Sequence, residues 1–263
     1  MVTVPVRNEA TRITETVRRL KVALDSSGLT YRISIAEDGS TDDTKRVVTG
    51  LLNEYPGLIL KSEQYAMGRG RALRELWSDW DADVYCFTDA DLASGTDAIV
   101  ASIRLVLAGG EVIIGSRYIE GGSVNRPPLR RFVSLGYNQL VRLWFRTGVL
   151  DHQCGMKVFS RRSLRELLSL ADEDSWFWDT QIVVIARRLG LPVEEVPVVW
   201  EEKKLKRTSI RRLVSDIYLH GSGLLRLKGR LCTLDEKIRS PREKRNPQGS
   251  TEARWNSGPV VLK

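Results

Sequence analysis

The chain has 263 residues, 42% hydrophobic and 28% charged, the balance of an ordinary globular protein large enough to bury a sizeable core. No run approaches the ~18 apolar residues of a membrane-crossing helix, and the start, Met1-Val2-Thr3-Val4-Pro5-Val6, has no leader pattern. The net charge of +8 is lopsided: residues 201–263 hold 16 Lys and Arg against 7 Asp and Glu, which suits a polyanionic surface.

In chain order, residues 2–6 read as a strand. Residues 12–26 place Ile13, Val17, Leu20 and Leu24 on one face, predicting an amphipathic helix. Residues 32–37 alternate as a second strand. Ser40-Thr41-Asp42-Asp43 opens the next helix, with Ser40 expected at its cap, and Pro56-Gly57 stops it near Tyr55. A strand over 58–60 and a helix over 70–80 follow. Residues 83–87 are short, apolar and β-favouring, a strand running into Thr88-Asp89-Ala90-Asp91-Leu92. A helix over 96–108 and a strand over 112–115 complete the run. This rhythm predicts an α/β fold, a mostly parallel sheet with helices on both faces. Ligands of such sheets bind beyond the carboxyl ends of strands, where Asp38, Asp89 and Arg117 all fall.

In a strand, Asp89 and Asp91 point to the same side. Carboxylates that close repel unless one is protonated or a cation lies between them. A hard divalent ion, Mg²⁺ or Mn²⁺, that also grips a diphosphate would resolve the conflict. Neither G-x-G-x-x-G after the first strand nor G-x-x-x-x-G-K-[ST] is present, which argues against a dinucleotide site and a P-loop. Cys86, Cys154 and Cys232 are far apart without C-x-x-C spacing, which excludes a zinc site and a disulfide framework and points to a cytoplasmic compartment.

After residue 120 the rhythm breaks. Residues 129–147 predict a helix with an apolar stripe of Phe132, Val133, Leu140 and Trp144, bordered by Arg130, Arg131, Arg142 and Arg146. A core helix and a helix at a membrane interface both fit it. Residues 209–228 carry Ile210, Leu213, Val214, Ile217, Gly221, Leu224 and Leu225 at helical spacing beside basic residues, a pattern for a membrane surface or a protein partner. The expected organisation is a domain over 1–205, a basic amphipathic membrane-surface helix over 206–232 and a disordered basic tail over 233–263. That tail, with Trp255 its single aromatic, offers no aromatic-interleaved basic platform for stacking bases, and nucleic acid is not an expected partner.

Several segments, in order, resemble family 2 glycosyltransferases of the GT-A fold over residues 1 to about 220. Val4-Pro5-Val6-Arg7-Asn8-Glu9 is similar to the first-strand motif that meets the nucleotide. Glu37-Asp38-Gly39-Ser40 is similar to the motif whose Asp binds the base, and Gly68-Arg69-Gly70-Arg71-Ala72-Leu73 to a G-K-G-x-A-L segment with Arg69 in place of Lys. Asp89-Ala90-Asp91 falls where the family holds its metal. Gly115-Ser116-Arg117-Tyr118, the arginines near Arg131, Asp151-His152-Gln153-Cys154-Gly155-Met156-Lys157-Val158-Phe159 and Phe177-Trp178-Asp179-Thr180-Gln181 resemble segments of the dolichyl (polyprenyl) phosphate sugar transferases, with Gln181 in place of an acid.

The resemblance implies inverting, metal-dependent transfer of a hexose from a nucleoside-diphosphate sugar to dolichyl or polyprenyl phosphate, by a peripheral enzyme on the cytoplasmic face of an anionic membrane, a membrane-protein partner remaining open. UDP-glucose is the leaning, GDP-mannose the other choice. It places the donor at Pro5, Val6, Asn8, Glu9, Asp38, Arg69, Asp89, Ala90 and Asp91, with Mg²⁺ or Mn²⁺ on Asp89 and Asp91. The acceptor phosphate falls to Arg117, Arg131, Lys206 and Arg207, so that Asp91, Arg117 and Arg131 are the catalytic candidates. A phosphate monoester, with a second pKa of roughly 6, needs no general base. The alternative acceptor, a sugar hydroxyl, would need one, Asp179 or Asp151. A non-catalytic binder of nucleotide sugars is a third reading, which the acidic pair disfavours.

Overall fold

The computed structural model describes residues 1–125, 128–201 and 210–239. Its first half alternates as the rhythm predicts: β1 (Val2–Val6), α1 (Ile13–Ser27), β2 (Ile33–Glu37), α2 (Thr44–Glu54), β3 (Ile59–Ser62), α3 (Arg69–Asp79), β4 (Val84–Thr88), α4 (Thr96–Leu107) and β5 (Val112–Ser116). Then come β6 (Ser123–Asn125), α5 (Pro128–Phe145), β7 (Met156–Ser160), α6 (Arg161–Leu168), α7 (Trp178–Arg188), β8 (Val193–Pro197), β9 (Val199–Glu201) and α8 (Ile210–Arg239). The cap expected at Ser40 is made elsewhere. Asp42 Oδ1 accepts the Thr44 N–H at 2.9 Å, while the Ser40 hydroxyl receives the Asn8 N–H at 3.0 Å.

Seven strands form one sheet in the order β3-β2-β1-β4-β7-β5-β8, and β6 pairs with β9 beside it. Within the seven, β7 alone runs antiparallel to its neighbours β4 and β5. The chain leaves β1 for β2 and β3 on one side and returns to β4 on the other. That reversal opens a crevice at the carboxyl ends of β1 and β4.

Period-two alternation feeds two cores. Val84 and Cys86 of β4 join α1, α2 and α4 on one face, while Tyr85 and Phe87 join α3, α5, α6, α7 and α8 on the other. Burial on both faces is why these strands read as apolar runs. Trp77 centres the second core, with the rings of Tyr85, Phe87, Phe159 and Trp178 at 5.9–6.3 Å. Its indole N–H donates to Thr3 Oγ1 at 2.8 Å.

Two long helices depart from expectation. On α8, Leu224 of the predicted stripe is buried in the second core together with Leu227, Leu231 and Leu234. Leu225 of that stripe is 65% exposed, and the side chains of Ile210, Leu213, Val214 and Ile217 lie outside the described residues. Each buried leucine stabilises by about 1.5–3 kcal/mol over an exposed one. Residues 233–239, expected in a disordered tail, are the last turns of α8. On α5 the side toward the core is Asn138, Val141 and Phe145, and the predicted stripe turns outward, Phe132 being 76% and Leu140 and Trp144 each 40% exposed. Among the described residues no helix is long and apolar enough to cross a membrane.

Candidate active site

Four charges from four elements converge at the carboxyl end of β4. Arg69, the first residue of α3, donates from one terminal nitrogen to Asp89 Oδ1 at 2.9 Å and from the other to Asp179 Oδ2 at 2.6 Å. Lys157 of β7 reaches Asp179 Oδ1 at 3.2 Å and the Cys154 carbonyl at 2.9 Å. Arg69 is 5% exposed, and Lys157 and Asp179 are buried. Its guanidinium lies between the Phe87 ring at 4.7 Å and the Trp176 ring at 4.5 Å. Two positive and two negative groups leave the cluster neutral, the condition for burying them. Two buried polar atoms there, Arg69 Nε and Thr88 Oγ1, have no hydrogen-bond partner among the described residues.

The acidic pair is unequal. Burial, with the charges of Asp91 and Asp179 adding and those of Arg69 and Lys157 opposing, raises Asp89 to about 6. Its carboxylate fits only because residue 155 is glycine, where a Cβ would stand 1.8 Å from Asp89 Oδ2. Asp91 is half-buried. One of its oxygens accepts the Ala93 N–H at 3.0 Å, and the other has no partner among the described residues. No group of three His, Cys, Asp or Glu side chains there could enclose an ion. One free carboxylate oxygen beside an electrostatically stressed one fits Mg²⁺ or Mn²⁺, which take one or two carboxylates and complete their shell with substrate phosphate and water.

The other expected donor residues are close by but occupied. Pro5 and Val6 end β1, and Ala90 is buried with its carbonyl taken by Thr16. Asn8 has a φ of 58°, and its side chain accepts the Thr41 N–H at 2.8 Å. The Glu9 N–H donates to Thr44 Oγ1 at 2.8 Å, and its carboxylate pairs with Arg12 at 3.3 Å. Asp38 accepts the N–H groups of Met67 at 2.6 Å and Gly68 at 3.0 Å, fixing the turn before Arg69.

Gly68-Arg69-Gly70 also differs from expectation. At Gly68, with φ of 101°, a Cβ would stand 2.3 Å from the Asp174 carbonyl, and that oxygen takes the Gly70 N–H at 2.8 Å. The glycine admits the 173–175 backbone here, and Arg69 is a buried cation shared by two carboxylates.

Arg117 is likewise committed. Its Nε and one terminal nitrogen each donate to Asp151 at 2.7 Å, and its backbone N–H adds a third bond at 3.1 Å. Burial would lower Arg117 and raise Asp151. Their mutual attraction outweighs it, holding the arginine above and the acid below their ordinary values. Arg131 is exposed on α5, and no contact ties it to the four-charge cluster. Lys206 and Arg207 lie outside the described residues. Lys157 and Trp176 had no role in the sequence analysis; a lysine inside the apolar run Met156-Lys157-Val158-Phe159 was the available signal for the first.

His152 is structural. Nε2 pairs with Thr147 Oγ1 at 2.8 Å and Nδ1 with Asn138 Oδ1 at 3.0 Å. Burial, against the pull of Asp151, lowers it to about 3. The unfolded chain, near 6.5, therefore takes this proton first, and the folded state loses stability as pH falls below about 6.5. Between pH 7 and 5 the loss from this group should reach about 2 kcal/mol. Urea unfolding of wild type and His152→Gln checks it: the variant should show the shallower pH slope, and equal slopes would mean that the native histidine protonates.

Residues 1–168 match the family described as Glycosyl transferase family 2. The chain is 35% identical over 228 residues to Glycosyltransferase AglD of Haloferax volcanii, covering 86% of this chain and 36% of that protein. It is 33% identical over 227 residues to a dolichyl-phosphate beta-glucosyltransferase of Trichomonas vaginalis, covering 81% of this chain and 70% of that one. The chain thus spans about a third of the first relative and about two thirds of the second. Among solved structures, glucosyl-3-phosphoglycerate synthase from Mycobacterium tuberculosis, in complex with Mn²⁺, uridine-diphosphate and glucosyl-3-phosphoglycerate, superimposes with a TM-score of 0.67 at 19% identity. That alignment covers 87% of this chain and 79% of the other.

Proposed function

From the premise that the chain belongs to glycosyl transferase family 2 and has a GT-A-like α/β fold, we propose that it moves a hexose from a nucleoside-diphosphate sugar, UDP-glucose first, to a dolichyl or polyprenyl phosphate. One observation carries the choice of acceptor. Both carboxylates that could serve a hydroxyl acceptor as general base are fully engaged, Asp179 by Arg69 and Lys157, and Asp151 by Arg117 at both oxygens. A base must have a lone pair facing the proton that it takes. A phosphate acceptor arrives already ionised and makes no such demand. The names of the dolichyl-phosphate beta-glucosyltransferase relatives support the same acceptor.

In this reading Asp91, with Asp89 behind it, would hold Mg²⁺ or Mn²⁺. Bound there, the ion would offset the charge that builds on the departing diphosphate. The protein's own part is positional. Arg69 fixes Asp89 and Asp179, and Asp38 fixes the turn that presents Arg69. The acceptor phosphate is left to Arg131, Lys206 and Arg207, guanidinium and ammonium groups suited to bringing two anions together. Attack opposite the leaving nucleotide would invert the anomeric centre.

The lipid acceptor stays in a bilayer, so the enzyme must sit at its surface. The outward face of α5, with Leu129, Phe132, Leu135 and Leu143 exposed among arginines, suits an anionic membrane interface.

The test offers labelled nucleotide sugars with polyprenyl phosphate, polyprenol or a free sugar, in the presence of Mn²⁺. Organic-phase product from the phosphate alone is the expected result. Product from a hydroxyl acceptor at a comparable rate would overturn the reading.

A further inference from the structure

Trp176 has an unusual situation for so large an apolar side chain. It is 53% exposed, yet one face covers the Arg69 guanidinium at 4.5 Å, directly above the charge cluster. The segment that carries it is held on every side. The Asp174 carbonyl takes the N–H groups of Gly70 at 2.8 Å and Arg71 at 3.3 Å, and Arg74 binds both the Glu173 carbonyl and the Asp174 carboxylate. Gln181 Oε1 takes the Asp172 and Glu173 N–H groups at 3.1 and 2.8 Å, and Ser175 Oγ takes that of Phe177 at 3.2 Å. The indole is therefore placed before any ligand arrives, which spares a ligand the cost of ordering it.

Shielding Arg69 does not account for this residue, because a leucine would cover the guanidinium without exposing a wide aromatic surface. The surroundings point to a ligand with two characters. A rigid aromatic face asks for an apolar surface, and the partly exposed carboxylates of Asp89 and Asp91 at the turn after β4 offer acceptors for hydroxyl groups. A pyranose offers both, with C–H bonds on its faces and hydroxyls around its edge. The positions agree in order: Asp38 holds Met67 and Gly68, Arg69 follows, and Trp176 lies on Arg69 beside Asp89. A donor whose nucleotide lies toward β2 and whose diphosphate lies near Asp91 would extend its sugar toward the indole.

We infer that the open face of Trp176 is the platform on which the donor hexose stacks, making Trp176 a specificity-determining residue for the sugar. This rests on the transferase reading above. The test is calorimetric titration of UDP and of UDP-glucose, with Mn²⁺, into wild type, Trp176→Ala and Trp176→Phe. Being exposed, the residue can be replaced without opening the core, and unchanged circular dichroism and melting check this. The alanine variant should lose roughly three- to tenfold in affinity for UDP-glucose with little change for UDP, and phenylalanine should restore most of the loss. Equal weakening of both ligands, or of neither, overturns the platform while leaving the transferase intact. So does an effect confined to KM for the lipid phosphate. If wild type binds no nucleotide sugar in a panel that includes GDP-mannose, the transferase reading falls and the platform with it.

Discussion

Asp91→Asn should reduce sugar transfer by about 30- to 1,000-fold while leaving the melting temperature nearly unchanged. The amide keeps the carbonyl oxygen that accepts the Ala93 N–H, so the turn after β4 survives. What disappears is the negative charge of the carboxylate whose second oxygen has no partner among the described residues. If that oxygen holds the divalent ion, its loss removes on the order of 2–4 kcal/mol of stabilisation from the departing diphosphate, which converts to the stated range. Steady-state rates across an Mn²⁺ titration check it, with the variant shifted to much higher metal concentrations. An unchanged metal response would show that the ion does not bind at Asp91.

Arg117→Met should act oppositely, on the fold first. The pair with Asp151 is buried at both ends and made of three hydrogen bonds, so removing the arginine strands a carboxylate without solvent or counter-charge. Breaking a buried pair from one side costs about 3–5 kcal/mol, and a protein of this size loses about 2–4 °C of melting temperature per kcal/mol. A fall of roughly 6–20 °C is expected, largely recovered in Arg117→Met/Asp151→Leu, where no charge remains to be buried. Were Arg117 instead an acceptor ligand alone, the single variant would keep its melting temperature and change only KM for the lipid phosphate. Thermal unfolding of the single and double variants separates the two.

The half of the fold made by local rhythm was open to inspection in the sequence, since alternating apolar runs and helical stripes are short-range signals. Arg69, Asp89 and Asp179 were each singled out, and the structure brings them into direct contact although Arg69 and Asp179 are 110 positions apart. What stayed hidden depends on pairing at a distance. Nothing local marks Lys157 as a partner of Asp179, or Arg117 as spent on Asp151, 34 residues away. Gly68 marks a close approach without naming what approaches, and only the fold shows that it is the 173–175 backbone. The stripe of α8 shows a related limit: one apolar face on a helix fits a bilayer or a protein core, and the fold alone shows Leu224 in a core while Leu225 beside it is exposed.

The place of β7 has a further consequence, for how the chain assembles. β4 ends at Thr88 and β5 at Ser116, yet the strand that joins them begins at Met156. During synthesis, residues 1–120 emerge as one group of four strands, β3-β2-β1-β4, and β5 alone, and each side of the unfilled slot between them is a raw edge able to pair with another chain. Only when residues 156–160 leave the ribosome can the gap close. A nascent chain paused before that point should be captured by chaperones more readily than one paused just after it.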